Sequence, residues 1–390
     1  MTETHAAWGR ALDRLRTLGD RLAATPPADS TELEAFEHLV DQTSLFFAWE
    51  TLHADPSRPF FHRHNDLVSQ WGGPNADNVY RHARIDPGRR YRIHGRMHSC
   101  DEFLLALRAG FMHNEIWGTK AQVTASDLGI GPGDEFELFL GGDPLDPTWP
   151  DAVAIPDGVI MASVREYYYA WTAEEPATIL IECLDPDPAG ELTETEFERR
   201  LEQSLAQIED SITYWDRYMA DNRADRVDNE FAPTTVKVGK GLPMARYEFC
   251  FWNLEPGQAL IIECDEPQAR YWATQLYMMH TFELVDPYGG ISSRNQAQSR
   301  VDSDGKARYV LAATDPGVPN WLDTRGRSAG LCTVRWFWPT ADVEPALTSR
   351  VVPLDDVRNH LPDETPEVSK TARAEELAAR RAHLRWRFRA

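Results

Sequence analysis

Hydrophobic positions recur at helical spacing along the first fifty residues. From His5 to Ala24, Trp8, Leu12, Leu15 and Leu18 are separated by Arg and Asp, a pattern that predicts an amphipathic helix. A Pro-Pro break follows, and Thr31 with Glu34 forms a capping box that opens a second helix to about Leu52. From Pro59 the texture changes. Short runs rich in Val, Ile, Tyr and Phe recur between Gly, Pro and Asp: VYRHARI, YRIHGRM, FLLALRAGF, EFELFLGG, GVIMASV, YYYAW and ATILIEC. Such spacing without an intervening helix predicts an all-β sandwich or barrel.

One helix interrupts the strands. Phe197, Leu201, Leu205, Ile208, Ile212, Trp215 and Met219 follow one another at steps of three or four residues, behind a capping box at Thr193 and Glu196. A polar stretch to about Leu242 leads to a second strand-rich block: ARYEFCFWN, ALIIEC, YWATQLYMM, ARYVLAA and LCTVRWFW. Beyond Pro345 the chain turns polar, and a last helix is expected from about Ser369.

The two blocks resemble each other. An ungapped shift of 81 positions lays REYYYAWTAEEPATILIECLDP, from Arg165, on RYEFCFWNLEPGQALIIECDEP, from Arg246. Ile181–Glu182–Cys183 then meets Ile262–Glu263–Cys264, which points to a duplicated domain. The fold expected is mainly β, with two tandem jelly-roll sandwiches. Residues 1–57 form an N-terminal helical segment, 58–190 the first jelly roll, 191–242 a connecting helix and linker, 243–350 the second jelly roll, and 351–390 a basic helical tail.

At 390 residues the chain suits two domains. Its formal net charge of −22 disfavours nucleic acid and anionic lipid as partners. No run approaches a membrane span and no apolar leader opens the chain, so a cytoplasmic location is expected. The tail from Ser369 inverts the balance: it carries +5 against −27 elsewhere, so its expected resting place is the acidic body of the same chain or a partner subunit. The five cysteines form no C-x-x-C pair, which argues for buried thiols rather than disulfides or a zinc knuckle. Walker, G-x-G-x-x-G and G-x-S-x-G motifs are missing, which sets aside nucleotide-driven, Rossmann and α/β-hydrolase chemistry.

The second block resembles domain-of-unknown-function family 1214. The residues that carry the likeness are Tyr271–Trp272, Asn295, the Asp304–Gly305 turn, Pro319–Asn320–Trp321, and Arg335 through Pro339. GPNADNVYRHARID is similar to the opening strand of companion family 1254. The resemblance implies a double jelly roll, an architecture shared with large viral capsid proteins and with glycoside hydrolase family 172, whose trimers pair glutamates at subunit junctions. Exposed sheet edges and a surplus of aromatics predict self-association, and the resemblance implies a trimer before a dimer.

Three groups of residues are candidates for chemistry. The densest polar cluster is HGRMHSCDE followed by FMHNEIWG, with His62, Arg63 and His64 upstream. His94 and His98 share one face if they share a strand, and His113 from a neighbouring strand would complete a set for a divalent metal. Surface or hydrogen-bonded histidines are the plainer alternative. Glu115 beside His113 is the expected acid or base of a carboxylate mechanism. Glu182 and Glu263 are expected instead to pair with Arg165 and Arg246 across hairpins. Aromatic and polar residues of the family segments, Trp272, Asn295, Asn320, Trp321 and Arg335 with Tyr80 from the opening strand, are expected to bind a ligand. Arg335, between Val334 and Trp336, must be paired. The function expected is a hydrolase for a glycan or other polyhydroxylated substrate. A binding protein for an aromatic or lipid-like metabolite and a structural assembly module are the alternatives.

Overall fold

The computed structural model describes residues 3–25, 30–67, 69–114, 116, 118–141, 152–185, 192–231 and 244–388. Its contacts divide the chain into two units. Unit 1 comprises Met1–Trp71, Asn78–Tyr168 and Glu174–Asp216; unit 2 comprises Gly72–Asp77, Tyr169–Ala173 and Arg217–Ala390. The N-terminal helices thus belong to unit 1, and the basic tail to unit 2.

The helices form where periodicity placed them. α1 spans Glu3–Ala24 and α2 Glu32–Phe47, whose capping box at Thr31 and Glu34 is fully formed. α2 continues into a π-helical turn, Ala48–Leu52. α3, Glu194–Arg223, buries Leu201, Leu205, Ile208, Ile212, Trp215 and Met219. α1 runs parallel to α3: Ala7 and Ala11 pack on Leu201 and Leu205, while Arg14 pairs with Glu202 and Glu209, and Arg21 with Glu209. At α3's start, Thr193 accepts from the Glu196 amide, but the Glu196 carboxylate turns to Arg199 and Arg200.

Unit 1 holds two sheets. Strands β1 (Asn78–Arg84), β2 (Tyr91–Arg96), β3 (Glu102–Arg108), β4 (Thr119–Thr124), β5 (Glu135–Leu140), β6 (Met161–Tyr167) and β7 (Thr178–Cys183) order as β1-β6-β3-β4 and β5-β2-β7. Phe103 of β3 meets Phe136 of β5, with ring centroids 5.2 Å apart, so odd-numbered positions of β3 face the other sheet. That interior contains a buried ion pair, Arg81 with Glu166, whose carboxylate also accepts from the Tyr168 hydroxyl. The close approach of β2 and β7 requires Gly95: a Cβ there would lie 1.8 Å from the Thr178 carbonyl oxygen.

Unit 2 repeats the plan. Its strands β8 (Ala245–Asn253), β9 (Gln258–Asp265), β10 (Ala269–Tyr277), β11 (Ser293–Asn295), β12 (Lys306–Ala312), β13 (Trp321–Asp323), β14 (Ala329–Pro339) and β15 (Leu347–Pro353) order as β11-β10-β14-β8 and β13-β12-β9-β15. Cys250, Ile262, Trp272, Tyr309, Cys332 and Trp336 from both sheets share one core. Matched in chain order, β8, β9, β10, β11, β12, β14 and β15 occupy the places of β1 to β7, and β13 is the addition. The duplication is therefore real in topology.

The 81-residue shift is not its register. It equates β6 with β8 and β7 with β9, whereas the sheets equate β6 with β14 and β7 with β15. Glu182 and Glu263 occupy non-equivalent strands. Nor do they pair with Arg165 and Arg246, because β6 and β7 lie in different sheets, as do β8 and β9. Glu182 instead pairs with Arg92, its opposite on β2, and Glu263 with Arg308 on β12 and Arg350 on β15. Both glutamates are cross-strand ion pairs, with partners supplied by the sheet rather than by a hairpin.

The last helix, α4 (Lys370–Phe388), lies within unit 2. Arg373 binds Asp315 and Glu376, Arg380 donates to Ser293, and Arg381 donates to the carbonyls of Tyr288 and Gly289. These three arginines of the cationic tail thus bind the chain's own body. Among the described residues no helix is long and apolar enough to cross a membrane.

Candidate functional site

The expected ligand residues of unit 2 turn out to build its frame. Trp272 lies in the sandwich core. Asn320, at φ 52°, exchanges hydrogen bonds with the backbone of Arg300, and Trp321 donates its indole to the Ala312 carbonyl beneath Arg373. Arg335 is paired, as its strand position requires: it donates to the Tyr277 hydroxyl and lies over the rings of Tyr247 and Tyr277. Asn295 donates to Asp77 at 2.7 Å. That carboxylate, fully buried, also accepts from Trp171 at 2.8 Å and Tyr271 at 2.6 Å. Burial pushes the Asp77 carboxyl up, against Tyr271, Arg387, Asn295 and Trp171, which favour its charged form. A carboxylate so enclosed is a structural hub. Sequence reasoning passed over it, because one Asp in a Pro/Asn-rich turn carries no signal of its own.

The expected metal set does not assemble. His94, on β2, stands 4.0 Å from Glu182; His98 lies against Glu175 and Thr178. His113 is enclosed by Phe46, Phe111 and Trp71. Among the described residues no group of three His, Cys, Asp or Glu side chains is placed to hold a metal ion. Glu115 lies outside the described residues. Tyr80, of unit 1, lies under Arg165, 5.4 Å from ring to guanidinium.

What unit 1 does form is a cleft of about 400 Å³ around the end of α2, β1 and α3. Glu50, Arg84, Asn114, Arg199, Gln203, Gln207 and Asp210 line it, with Ala54, Ile116, Ile160 and Ala206 as its small apolar share. Its polar residues are linked. The Glu50 carboxylate accepts from Arg84 at 2.9 Å and from the Gln207 amide at 3.2 Å. The Gln207 carbonyl in turn accepts from Asn114 at 2.9 Å and from His113 Nε2 at 2.6 Å. Because that oxygen only accepts, His113 carries its proton on Nε2. Burial lowers its pKa to about 4, so the ring is neutral. His113 therefore braces Gln207 from behind rather than lining the cleft. Asp210 stands exposed at the mouth; partial burial of its carboxyl and the neighbouring Glu209 raise its pKa, against Arg14.

Behind Arg84 lies a row of imidazoles. The Arg84 guanidinium covers Trp49, 4.4 Å from the ring, and Trp49 touches His64. His62 and His82 exchange backbone hydrogen bonds and extend the sheet by one bridge. Period-two geometry then puts His62, His64 and His82 on one face. With His53 their rings meet in a row, tilted or edge to face, in the order His53, His62, His64, His82, at 4.4, 5.3 and 4.1 Å between successive centroids. Burial lowers every one of these pKa values, that of His53 to about 4; mutual repulsion and Arg84 add to it. The sequence drew attention to His62 and His64, but His53 and His82 join them only through the fold.

No family model matches the chain, and no curated protein matches it. Solved structures do. An uncharacterised protein from Burkholderia cenocepacia superposes with a TM-score of 0.79 at 24% identity, over 89% of this chain and 97% of that one. A protein from Vibrio parahaemolyticus matches at a TM-score of 0.46 and 11% identity, over 80% of this chain and 97% of that one. The first likeness is one of fold, and the second is too distant to add to it.

Proposed function

We propose that the cleft of unit 1 binds a small polyhydroxylated molecule. The observation that carries this reading is the linked array of Arg84, Glu50, Gln207 and Asn114 along one wall. Amides and charges of both signs, fixed by one another, present donors and acceptors at defined positions. Hydroxyl groups, which both donate and accept, match such a wall better than an aromatic or lipid-like ligand would. The thermal shift of the full chain with a panel of monosaccharides, disaccharides and polyols tests this. A member that stabilises the wild type should lose its effect in Gln207→Ala; no effect from any member, or an undiminished one in the variant, contradicts the reading.

A hydrolytic reading is favoured by a second observation: two carboxylates line the same cleft in unlike settings. Asp210, raised toward the proton-holding form, suits a general acid, while Glu50, held by Arg84 and Gln207, suits the base or nucleophile. Release of reducing sugar from a bound oligosaccharide, abolished in both Glu50→Gln and Asp210→Asn, supports it. Binding without turnover leaves a binding protein.

A further inference from the structure

We infer that the outer face of the first sheet, around Ser163, is a second site in unit 1 that takes a small oxyanion, a carboxylate or phosphate group. The sheet register builds it. His82 on β1 lies directly opposite Ser163 on β6, and Tyr80 opposite Arg165. On β3, Ala106 opposes Ser163, and Arg108 follows one row on. All of these point away from the sandwich interior, because Phe103 and its odd-numbered neighbours point into it.

Polar atoms gather there unspent. Ser163 is fully buried and His82 is 3% exposed. The Ser163 hydroxyl, His82 Nδ1 and Arg165 Nε find no hydrogen-bond partner among the described residues, and neither does Nε2 of the adjoining His64. Cationic side chains gather on this face as well. The groups that act on His82 are Arg108, Arg165 and His62. Arg165 acts on Arg108 in turn. Among the described residues, Glu50 holds Arg84, Glu166 faces the interior with Arg81, and Glu102 accepts from Ser126. The Arg165 guanidinium disfavours a metal cation, and water would satisfy these groups without supplying charge. An oxyanion does both, through charge-assisted hydrogen bonds from Arg165, Ser163 and His82.

The test uses the full chain titrated with inorganic phosphate in one arm and acetate in the other, against sodium chloride at matched ionic strength. Thermal shift and calorimetry read the binding. At least one anion should give saturable stabilisation beyond chloride, and the arm that responds identifies the group. Ser163→Ala and Arg165→Gln should each weaken that affinity at least tenfold, while Arg16→Gln, which removes an exposed cation on α1, leaves it unchanged. Arg165→Lys, which keeps charge but not Nε, covers the case in which Arg165→Gln fails to fold. No response beyond chloride overturns the inference. So does an affinity that survives in Ser163→Ala and in the folded Arg165 variant, since the anion then binds elsewhere. Gln207→Ala, in the cleft, should not change this response, which separates the inference from the proposed function.

Discussion

The buried imidazoles of unit 1 make stability depend on pH in a window where carboxylates are silent. His53, His62, His64, His82 and His113 all have pKa values lowered by burial. In the unfolded chain each would titrate near 6.5. Below that value the unfolded state takes up protons that the native state refuses, so stability falls as pH falls. It is fully present above about pH 7 and stops declining only below the folded values, about 4 for His53 and His113. Between pH 7.5 and 5.5 a group that stays neutral in the fold costs about 1.4 kcal/mol. The five together reach up to about 7 kcal/mol, as much as the whole stability of many domains. Asp66 offsets a little of this at His62. Urea unfolding at pH 7.5, 6.5 and 5.5, followed by tryptophan fluorescence, measures it. Trp49 and Trp71 report directly, because their rings touch His64 and His113. Replacing His64 by Gln removes one proton from the linkage and should flatten the slope accordingly, whatever it does to stability at pH 7.5. Stability constant to within 1 kcal/mol across the three pH values would refute the reasoning, and the imidazoles would then have to be charged or open to water.

Two further outcomes follow from burial. Asp77→Ala strands the indole N–H of Trp171 and leaves Tyr271 only Asn75, and Asn295 only the Tyr169 carbonyl, as acceptors, so unfolding of unit 2 should become easier by about 1–3 kcal/mol, read as a lowered Tm. Burial raises the thiol pKa values of Cys100, Cys250, Cys264 and Cys332; in a native thiol titration only Cys183, which is half-buried, should react quickly, and all five once urea is added.

Much of the fold was legible because periodicity reports burial directly. The capping box at Thr31 and the six buried positions of α3 from Leu201 to Met219 are written in residue type and spacing. Strands with two apolar neighbours were equally plain. β4, β11, β13 and β15 were not, since β11 and β13 are three residues long and β4 and β15 leave alternate positions to solvent. The false register arose from the same physics. Ile–Glu–Cys describes any strand with a paired glutamate between two inward positions, so two strands with different places in the sheet can carry it. Conversely, β6 and β14 share a place in the sheet while their sequences differ. The cleft was beyond reach for another reason. Glu50 and Gln207 stand 157 residues apart, and each looks like one more polar residue on a helix surface until the fold joins them.

A crystal structure of the chain with the sugar or polyol that stabilises it most would test the central claim most directly. The account predicts density for the ligand in the cleft of unit 1, with hydroxyls in hydrogen-bond contact with Gln207, Asn114 and Arg84. Density on any other surface, with the Glu50–Gln207 wall untouched, would contradict it.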